Sequence, residues 1–309
     1  MNITTNLVDK KDVFDILAIG HLTGFPVLLE GPPGVAKTQV AIDFAKSLNT
    51  TIYETQLSFG SRPSEIKGII NIPKLMKGIQ ETICPIADAE VIFIDEVEKG
   101  SPEIRNTLLS IMREREIFLG AEGNRKCKWK LFVGTVNEIP FDEKDNPFWD
   151  RFVLKAKIER ISPQLYSNMW NPKTEIYDYP ETITSISENN KAIILKLANL
   201  LKDQLTDRTI SYIPKIVDAV YSIRKSDIID ATIKTGSLLS FESSNEIIKE
   251  IATNSYMEIS GAQRNIEALS NIEGSEVQIN MLKSKMINAF NNSNSLVKSI
   301  FKEKILGIM

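Results

Sequence analysis

The eight residues GPPGVAKT have the composition of a loop that binds phosphate groups. They follow an apolar run, FPVLLE, and precede a segment whose apolar side chains have helical spacing. Glycines let such a loop turn backbone N–H groups toward phosphate oxygens, and the start of a helix favours negative charge. The segment fits the pattern G-x-x-x-x-G-K-[ST], except that Ala36 occupies the second glycine position. The residues predicted to bind phosphates are Gly31, Pro32, Pro33, Gly34, Val35, Ala36, Lys37 and Thr38.

Side chains for metal and water chemistry are found in this loop and in a second segment. Lys37 is predicted to reach the β- and γ-phosphates, and Thr38 to place its hydroxyl on Mg²⁺. The segment VIFIDE, Val91–Glu96, is an apolar strand with two carboxylates at its C-terminal end, where ligands of open α/β sheets bind. Asp95 is predicted to hold Mg²⁺ through its water shell, and Glu96 to orient and deprotonate an attacking water.

Three further polar residues stand where they could complete a reaction site. Asn137 ends a buried strand, LFVGTVNE, and is predicted to touch the γ-phosphate and the attacking water. Arg151 follows a short helix in NPFWDRF and precedes a strand, with a surface ion pair to Asp150 as the alternative. Arg208 starts a helix in LTDRTISY, where the ordinary polarity of a helix start explains it equally well.

The composition excludes several other kinds of site. Of the 309 residues, 42% are hydrophobic and 25% charged, which is typical of a globular chain and excludes a largely disordered one. Two cysteines and one histidine exclude a disulfide scaffold and a Cys/His zinc site. A net charge of −3 argues against a large surface that tracks nucleic-acid phosphates. The sequence has no membrane-span pattern and no signal-peptide pattern, so we expect a reducing cytoplasm.

Alternating strands and helices in the first part of the chain predict a three-layer α/β fold with a parallel sheet. The strands are predicted at Phe25–Glu30, Thr51–Phe59, Val91–Glu96, Lys130–Glu138 and Val153–Glu159, with helices at Lys37–Leu48 and Ser101–Glu116. These elements form a predicted domain, residues 1–161, with the phosphate loop and both polar strand ends at one edge of its sheet.

The remainder of the chain is predicted to be helical. A polar connector, Ser162–Glu181, leads into helices at Ser187–Leu201, Ile210–Arg224, Asp230–Leu238 and Ser244–Ile272. Weaker helical patterns follow at Gly274–Phe290 and Ser295–Ile305. We therefore expect a helical domain over residues 162–272 and a helical C-terminal extension, of no assigned role, over residues 273–309.

In this order, the motif blocks resemble those of AAA+ ATPases of the MoxR family, and most closely its RavA-like branch. SFGSRPSEIKGIINIP, VIFIDEVEKGSPEIRNTLLSIMRERE, VGTVNEIP and TDR are the segments that carry the resemblance, which covers about residues 8–272. GPPG-x-AK-[ST] is the usual form of the phosphate loop in this family, so Ala36 is consistent with it.

The resemblance implies a P-loop nucleotide-binding domain followed by a helical lid, assembled as a homo-oligomeric and usually hexameric ring. It implies hydrolysis of ATP with Mg²⁺ to remodel other proteins, commonly with a von Willebrand factor A-domain partner. Asn137 then corresponds to the first sensor residue and Arg208 to the second. Arg151 becomes the arginine that acts on the neighbouring subunit's nucleotide, with Arg113 and Arg115 in reserve.

The family also implies two inserts, one within about residues 65–83 and a hairpin at about Ile117–Lys130 with its turn at Gly120–Asn124. A basic cluster, Arg125, Lys126, Lys128 and Lys130, is interleaved with Trp129 in that hairpin. Facing a pore, it would suit a ring that translocates nucleic acid, although such charges are more often a solvated strand face. A third hypothesis, a nucleotide-bound structural module without turnover, conflicts with the intact Lys37, Asp95, Glu96 and Asn137.

Overall fold

The computed structural model describes residues 1–140, 146–187, 194–195, 198, 205–225 and 228–239. Its contacts divide the chain into two units, Met1–Ile183 and Thr184–Met309. The strands of the first unit are β1 Asn2–Thr5, β2 Val27–Glu30, β3 Ile52–Gln56, β4 Ile69–Ile70, β5 Thr82–Ile83, β6 Val91–Asp95, β7 Glu116–Phe118, β8 Asn124–Lys126, β9 Leu131–Val136, β10 Leu154–Lys157 and β11 Glu175–Asp178. Its helices are α1 Lys11–Thr23, α2 Lys37–Ser47, α3 Pro63–Lys67, α4 Ile72–Leu75, α5 Pro85–Asp88, α6 Pro102–Glu114, α7 Pro147–Asp150 and α8 Tyr166–Trp170.

The centre of the first unit is a five-stranded sheet in the order β10-β2-β9-β6-β3, and all its strand pairs are parallel. β9 is buried at every residue and β6 at all but its last, because helices cover both faces of a parallel sheet. β3 lies at the edge, and its residues alternate between exposed and half-buried. The predicted fold class is confirmed for this unit.

The register of the sheet brings its polar strand ends to one edge. Gln56 at the end of β3 pairs with Asp95 at the end of β6, and Glu30 at the end of β2 pairs with Val136 at the end of β9. The phosphate loop follows Glu30, and Asn137 follows Val136. The segments predicted to do chemistry therefore emerge side by side.

Helices fix this edge by packing on the sheet. α1 lies close to β2, since a Cβ built on Gly20 would be 2.5 Å from Val27 Cγ2. α6 is amphipathic and buries Ile104, Leu108 and Ile111. It begins where Ser101 Oγ accepts a hydrogen bond from the Ile104 N–H, with proline as the first helical residue, as the sequence predicts.

Two strands were not predicted from the sequence. β1 pairs antiparallel with β11, so the predicted polar connector contains a strand and groups with the first unit. Both strands have only four residues, with few inward-facing side chains, and such short alternation is a weak pattern in a polar sequence. The division into domains at residues 161 and 272 stays a prediction.

Both predicted inserts are present as small sheets. β4 and β5 pair around α4, and β7 and β8 form a hairpin whose turn contains Gly120 and Gly123, both with positive φ. The hairpin is shorter than predicted, because β8 ends at Lys126.

The second unit contains two described helices, α9 at Asp207–Arg224 and α10 at Ile228–Leu239, which pack together. α9 begins three residues before its predicted start, because Thr206 caps it by accepting a hydrogen bond from the Thr209 N–H. Most of the predicted helix Ser187–Leu201 and all helices predicted after residue 239 lie outside the described residues. Within the described ranges, no helix is long and apolar enough to cross a membrane.

Candidate active site

The phosphate loop runs from the end of β2 to the start of α2. The Gly31 N–H donates to the Val136 carbonyl at 3.1 Å, and a Cβ on Gly31 would lie 2.4 Å from the Ile158 carbonyl oxygen. Gly34 has a φ of +83° in open space. The first glycine is therefore required by the close approach of another backbone segment, and the second by its own conformation.

The backbone conformation at Ala36 shows how the loop departs from the sequence pattern and still keeps its shape. It precedes the first residue of α2 with φ +67° and ψ +27°, which is the left-handed conformation that glycine adopts without strain. An alanine there costs about 1–2 kcal/mol. The backbone geometry that the missing glycine would supply is thus present, at a cost in conformational strain.

Lys37 is buried at the first position of α2 and closes the loop on itself. Its Nζ donates to the Gly31 carbonyl at 2.5 Å and to Asn137 Oδ1 at 2.9 Å. Burial lowers the pKa of Lys37, and the nearby Asp95, Glu98 and Glu96 carboxylates oppose that shift. An ammonium ion held this way is ready to exchange a carbonyl for a phosphate oxygen.

Thr38 and Asp95 form the oxygen pair that was predicted to hold Mg²⁺. The Thr38 hydroxyl donates to Asp95 Oδ2 at 3.3 Å, and Asp95 Oδ1 accepts from the Thr135 hydroxyl and, at 3.1 Å, from the Glu96 N–H. A hydroxyl and a carboxylate are the donors that Mg²⁺ accepts from proteins while it keeps several waters. The donor set fits that ion.

Glu96 projects from a residue in the left-handed conformation, with φ +54°. Its Oε2 accepts from Gln56 Nε2 at 2.7 Å and from Lys99 Nζ at 2.8 Å, and its Oε1 accepts from Asn137 Nδ2 at 3.3 Å. The hydrogen bond from Lys99 is the main cause that lowers the pKa of Glu96, followed by that from Gln56. The carboxylate is therefore ionised and held by donors from three directions.

Asn137 joins the two charged groups of the site. Its Oδ1 accepts from Lys37 and its Nδ2 donates to Glu96, while its own N–H donates to Glu98 Oε1 at 3.2 Å. The structure thus brings together the predicted Lys37, Asn137 and Glu96 in one hydrogen-bonded chain.

Four residues of this network were missed by the sequence reasoning: Gln56, Glu98, Lys99 and Thr135. Gln56 ends the strand beside the acidic strand, and Thr135 is a polar residue in a strand that is otherwise apolar. Both signals could have been read by asking which polar residues end neighbouring strands. Lys99 is three residues after Glu96, in a 3₁₀ turn whose geometry was not predictable.

A cavity of about 440 Å³ adjoins the phosphate loop. Three segments line it: the residues before α1, the loop itself, and residues 160–172, which include α8. Its walls are mainly apolar, with side chains such as Leu7, Val8, Val35 and Met169. The volume and character are those of a pocket for a small organic group.

Arg151 does not join this hydrogen-bonded chain in the described structure. It follows α7, which is anchored by Phe148, Trp149 and Phe152, with the Phe148 and Phe152 ring centroids 5.6 Å apart. Arg151 is half-buried, and its Nε is buried without a hydrogen-bond partner in the part of the chain that the structure describes. Its role toward a neighbouring subunit stays a prediction.

The reserve candidate Arg115 has a structural position. Its guanidinium lies 4.0 Å from the Trp129 ring centroid and donates to the Trp129 and Gly24 carbonyls. Arg113 is exposed near the end of α6. Arg208 lies in the first turn of α9 in the second unit, and its role stays a prediction.

The pore-facing interpretation of the basic cluster stays a prediction, and three of its four cations form ion pairs within the chain. Arg125 and Lys128 pair with Asp88 at 2.5 and 3.2 Å, and Lys130 pairs with Glu90 at 2.9 Å. Trp129 is buried, and its ring N–H donates to the Ile111 carbonyl, so this ring is not available for stacking. The ion pairs of Arg125, Lys128 and Lys130 attach this segment to the residues just before β6.

Comparison with known proteins relates residues 1–193 to a family described as the MoxR domain in the MoxR-vWA-beta-propeller ternary systems. The chain is 26% identical to chaperone MoxR1 of Mycobacterium tuberculosis over 51% of its own length and 42% of that protein's. It is 27% identical to the Holliday junction branch migration complex subunit RuvB of Mycoplasma pneumoniae over 53% and 52% of the two lengths. The chain spans about half the length of the curated relatives it matches.

A crystal structure of a candidate ATPase from Cytophaga hutchinsonii has the same fold, with a TM-score of 0.62. The match covers 80% of this chain and 90% of that one, at 20% sequence identity.

Proposed function

Because the chain belongs to the MoxR family of AAA+ ATPases, we propose that it binds ATP with Mg²⁺ and hydrolyses the terminal phosphate. The observation that carries this proposal is the chain of hydrogen bonds from Lys37 through Asn137 to Glu96, with Thr38 and Asp95 beside it. A phosphate-binding cation, a metal-binding oxygen pair and a carboxylate base are then within reach of one ligand group. The RavA-like branch within the family stays a prediction.

Each residue has a distinct role in this proposal. Lys37 leaves the Gly31 carbonyl to donate to phosphate oxygens, as do the backbone N–H groups of the loop. Thr38 and Asp95 hold the Mg²⁺ ion, which neutralises phosphate charge when it is bound. Asn137 orients the terminal phosphate and the attacking water between its two charged partners.

Glu96 accepts the proton of the attacking water. In the geometry described, Gln56 and Lys99 both donate to Glu96 Oε2, so that oxygen has little capacity to accept a proton from water. Glu96 Oε1 accepts the longer bond from Asn137 and keeps a second lone-pair site, so we assign the proton of the attacking water to that oxygen.

Substitution of Asn137 tests the observation that carries the proposal. In Asn137→Ala, the charged groups of Lys37 and Glu96 remain, but the hydrogen bonds that link them are lost. We expect ATP binding within a few-fold of the wild type and a fall in steady-state phosphate release of roughly 10²–10³-fold, as for the loss of one positioned donor. Asn124→Ala, which removes an exposed amide in the hairpin, is the matched control. Equal activity of the two variants would contradict the proposal.

We also propose that the chain acts in a ring, with Arg151 directed at the nucleotide of the neighbouring subunit. The half-buried guanidinium on an aromatic anchor supports this, since a rigid base is what a trans-acting arginine requires. Such arginines contribute about 10³–10⁵ in rate. Arg151→Ala should therefore bind ATP and assemble, yet hydrolyse little.

Mixing two inactive variants separates a role between subunits from a role within one. Lys37→Ala supplies an intact arginine with an empty site, and Arg151→Ala supplies the reverse. In mixed rings, some junctions pair a working site with a working arginine, so turnover should reappear as the mixing ratio changes. A flat rate at background, with mixed rings confirmed by native mass spectrometry, would assign Arg151 to its own subunit or to structure alone.

The work done by hydrolysis is proposed to be the remodelling of other proteins, together with a von Willebrand factor A-domain partner. The family description and the chaperone relative support this proposal. Glu96→Gln, which should retain ATP, is the bait for capture of a partner, with Lys37→Ala as the matched control. Phosphate release with and without duplex DNA tests the nucleic-acid alternative, which requires DNA to stimulate turnover.

A further inference from the structure

Lys10 is a buried cation with few hydrogen-bond partners in the described structure. It lies directly before α1, and only 4% of the residue is exposed. The one hydrogen bond of its ammonium in the described structure goes to the Glu159 carbonyl at 3.5 Å, the outer limit for such a bond. An ammonium has three N–H donors, so most of its capacity is unused.

The energetics make this position unusual. Lysine is almost never fully buried without a partner, because desolvation of an unpaired charge is costly. Burial lowers the pKa of Lys10, and the charge of the adjacent Asp9 opposes that shift. A group kept buried at this cost is a candidate for contact with a ligand that completes its hydrogen bonds.

The place of Lys10 indicates which ligand group that is. Lys10 lines the cavity of about 440 Å³ that adjoins Gly34, Val35 and Ala36, and neither Asn137 nor Glu96 is among the residues that line it. If phosphates occupy the loop, the rest of the nucleotide extends into this cavity. In a pocket with mainly apolar walls, a few polar groups determine which ligand is accepted and how it is oriented.

We propose that Lys10 is a specificity residue, whose ammonium donates a hydrogen bond to a lone-pair acceptor on the nucleoside of the bound nucleotide. The acceptor is a ring nitrogen of the base or an oxygen of the ribose, which share this chemistry. The inference rests on the proposed function, since it requires phosphates in the loop.

The test compares ligands that lack one acceptor at a time. In a Glu96→Gln background, which prevents turnover, dissociation constants are measured for ATP, 1-deaza-, 3-deaza- and 7-deaza-ATP, and 2′-deoxy- and 3′-deoxy-ATP. Inorganic tripolyphosphate, measured by competition, reports the phosphate loop alone. Lys10→Met is compared with Lys46→Met, the same substitution at an exposed position of α2.

We expect Lys10→Met to weaken ATP binding by roughly tenfold to a hundredfold, the usual worth of a hydrogen bond to a charged group. Tripolyphosphate binding should be unchanged. In the wild-type pocket, one analogue should bind more weakly than ATP by a similar factor. In Lys10→Met, that analogue and ATP should bind equally, which identifies the atom that the analogue lacks, on the base or on the ribose, as the acceptor. Lys46→Met should behave as the wild type.

Other outcomes overturn the inference in distinguishable ways. Equal weakening of ATP and tripolyphosphate would make Lys10 a structural residue, and unchanged ATP binding would remove it from the site. Failure of the wild-type pocket to bind either ligand would overturn the proposed function as well. If thermal unfolding shows that Lys10→Met does not fold, Lys10→Gln replaces it. That variant keeps a neutral donor, so the identified analogue should bind only slightly more weakly than ATP. If the difference in affinity between that analogue and ATP stays as large as in the wild-type pocket, the inference is contradicted.

Discussion

The two ends of the candidate site are built in opposite ways. At the phosphate end, Lys37, Asn137 and Glu96 are linked by hydrogen bonds of 2.9 and 3.3 Å, and further donors hold the carboxylate. At the other end, a mainly apolar cavity of about 440 Å³ contains Lys10, which has one weak contact. One end is densely hydrogen-bonded, and the other is not.

This difference matches the chemistry that we propose for each end. Phosphate transfer needs donors and carboxylates fixed in advance, because preorganised groups need no rearrangement as charge develops. Recognition of an organic group depends on shape and a few polar contacts that the ligand itself completes. The contrast predicts that substitutions at the phosphate end affect all phosphate ligands, whereas those in the cavity affect only complete nucleotides.

Lys37→Ala should break the phosphate end entirely. Loss of one partner from a buried, hydrogen-bonded charge pair costs about 2–5 kcal/mol, so binding of both ATP and tripolyphosphate should fall by more than tenfold. Calorimetric titration measures both ligands, and circular dichroism checks that the fold is retained. A variant that lost ATP but kept tripolyphosphate would place Lys37 at the wrong end of the site.

Glu96→Gln should separate binding from chemistry within the phosphate end. Glutamine has nearly the same shape but cannot accept the proton of water, so hydrolysis should fall by roughly 10²–10⁴-fold while ATP still binds. Asp95 is retained, and with it the predicted Mg²⁺ site. If this variant loses ATP binding as completely as Lys37→Ala does, the assignment of binding to Lys37 and of proton transfer to Glu96 is contradicted.

The phosphate end could be predicted from the sequence because its residues follow short motifs. The loop, the acidic pair and Asn137 each follow an apolar strand, and parallel strands place their C-terminal ends at one edge. The five strands and the three-layer arrangement followed from the same alternation, whereas the order of the strands in the sheet comes from the structure. Gln56 and Lys99 were missed because they act through partners on neighbouring segments rather than through a motif of their own.

The cavity at the other end of the site, where we propose that the nucleoside binds, could not be predicted from the sequence. Three segments that are distant in the chain create it. Leu7 and Tyr166 meet Val35 of the phosphate loop at the cavity, and neither Leu7 nor Tyr166 belongs to a pattern that indicates a pocket. α8 and β11 lie in a stretch that reads as a polar connector. A cavity is a property of shape, which sequence periodicity does not contain. Lys10, likewise, looks like an ordinary surface lysine in the sequence.

Lys99→Met should sharpen the view of how the phosphate end sets the protonation of Glu96. The hydrogen bond from Lys99 is the largest cause that lowers the pKa of Glu96, so its removal raises that pKa. The base acts only when deprotonated, so activity falls as the pH drops through this pKa. The acid limb of the pH–rate profile should therefore move to higher pH.

The pH profile distinguishes this role from a structural one. Lys74→Met, which breaks another ion pair, with Glu81 at 2.6 Å in the insert, is the matched control and should leave the profile in place. At pH values well above the pKa, release of Glu96 from one donor should raise the basal rate of Lys99→Met. An unmoved acid limb would mean that Lys99 does not control the protonation of Glu96.

The smallest effect is expected at Ala36, where the loop uses an alanine in a glycine conformation. Ala36→Gly removes a strain of about 1–2 kcal/mol at φ +67° and adds about 0.5–1 kcal/mol of unfolded-chain entropy. The two effects leave a net stabilisation of roughly 0–1.5 kcal/mol, measured by denaturant unfolding. Ala41→Gly, in the buried interior of the same helix, should instead destabilise by about 1 kcal/mol or more. If both variants destabilise equally, Ala36 does not hold the left-handed conformation in solution. If Ala36→Gly stabilises the protein and Ala41→Gly destabilises it, Ala36 holds the left-handed conformation. The phosphate loop then needs this backbone conformation, which a residue other than glycine can supply.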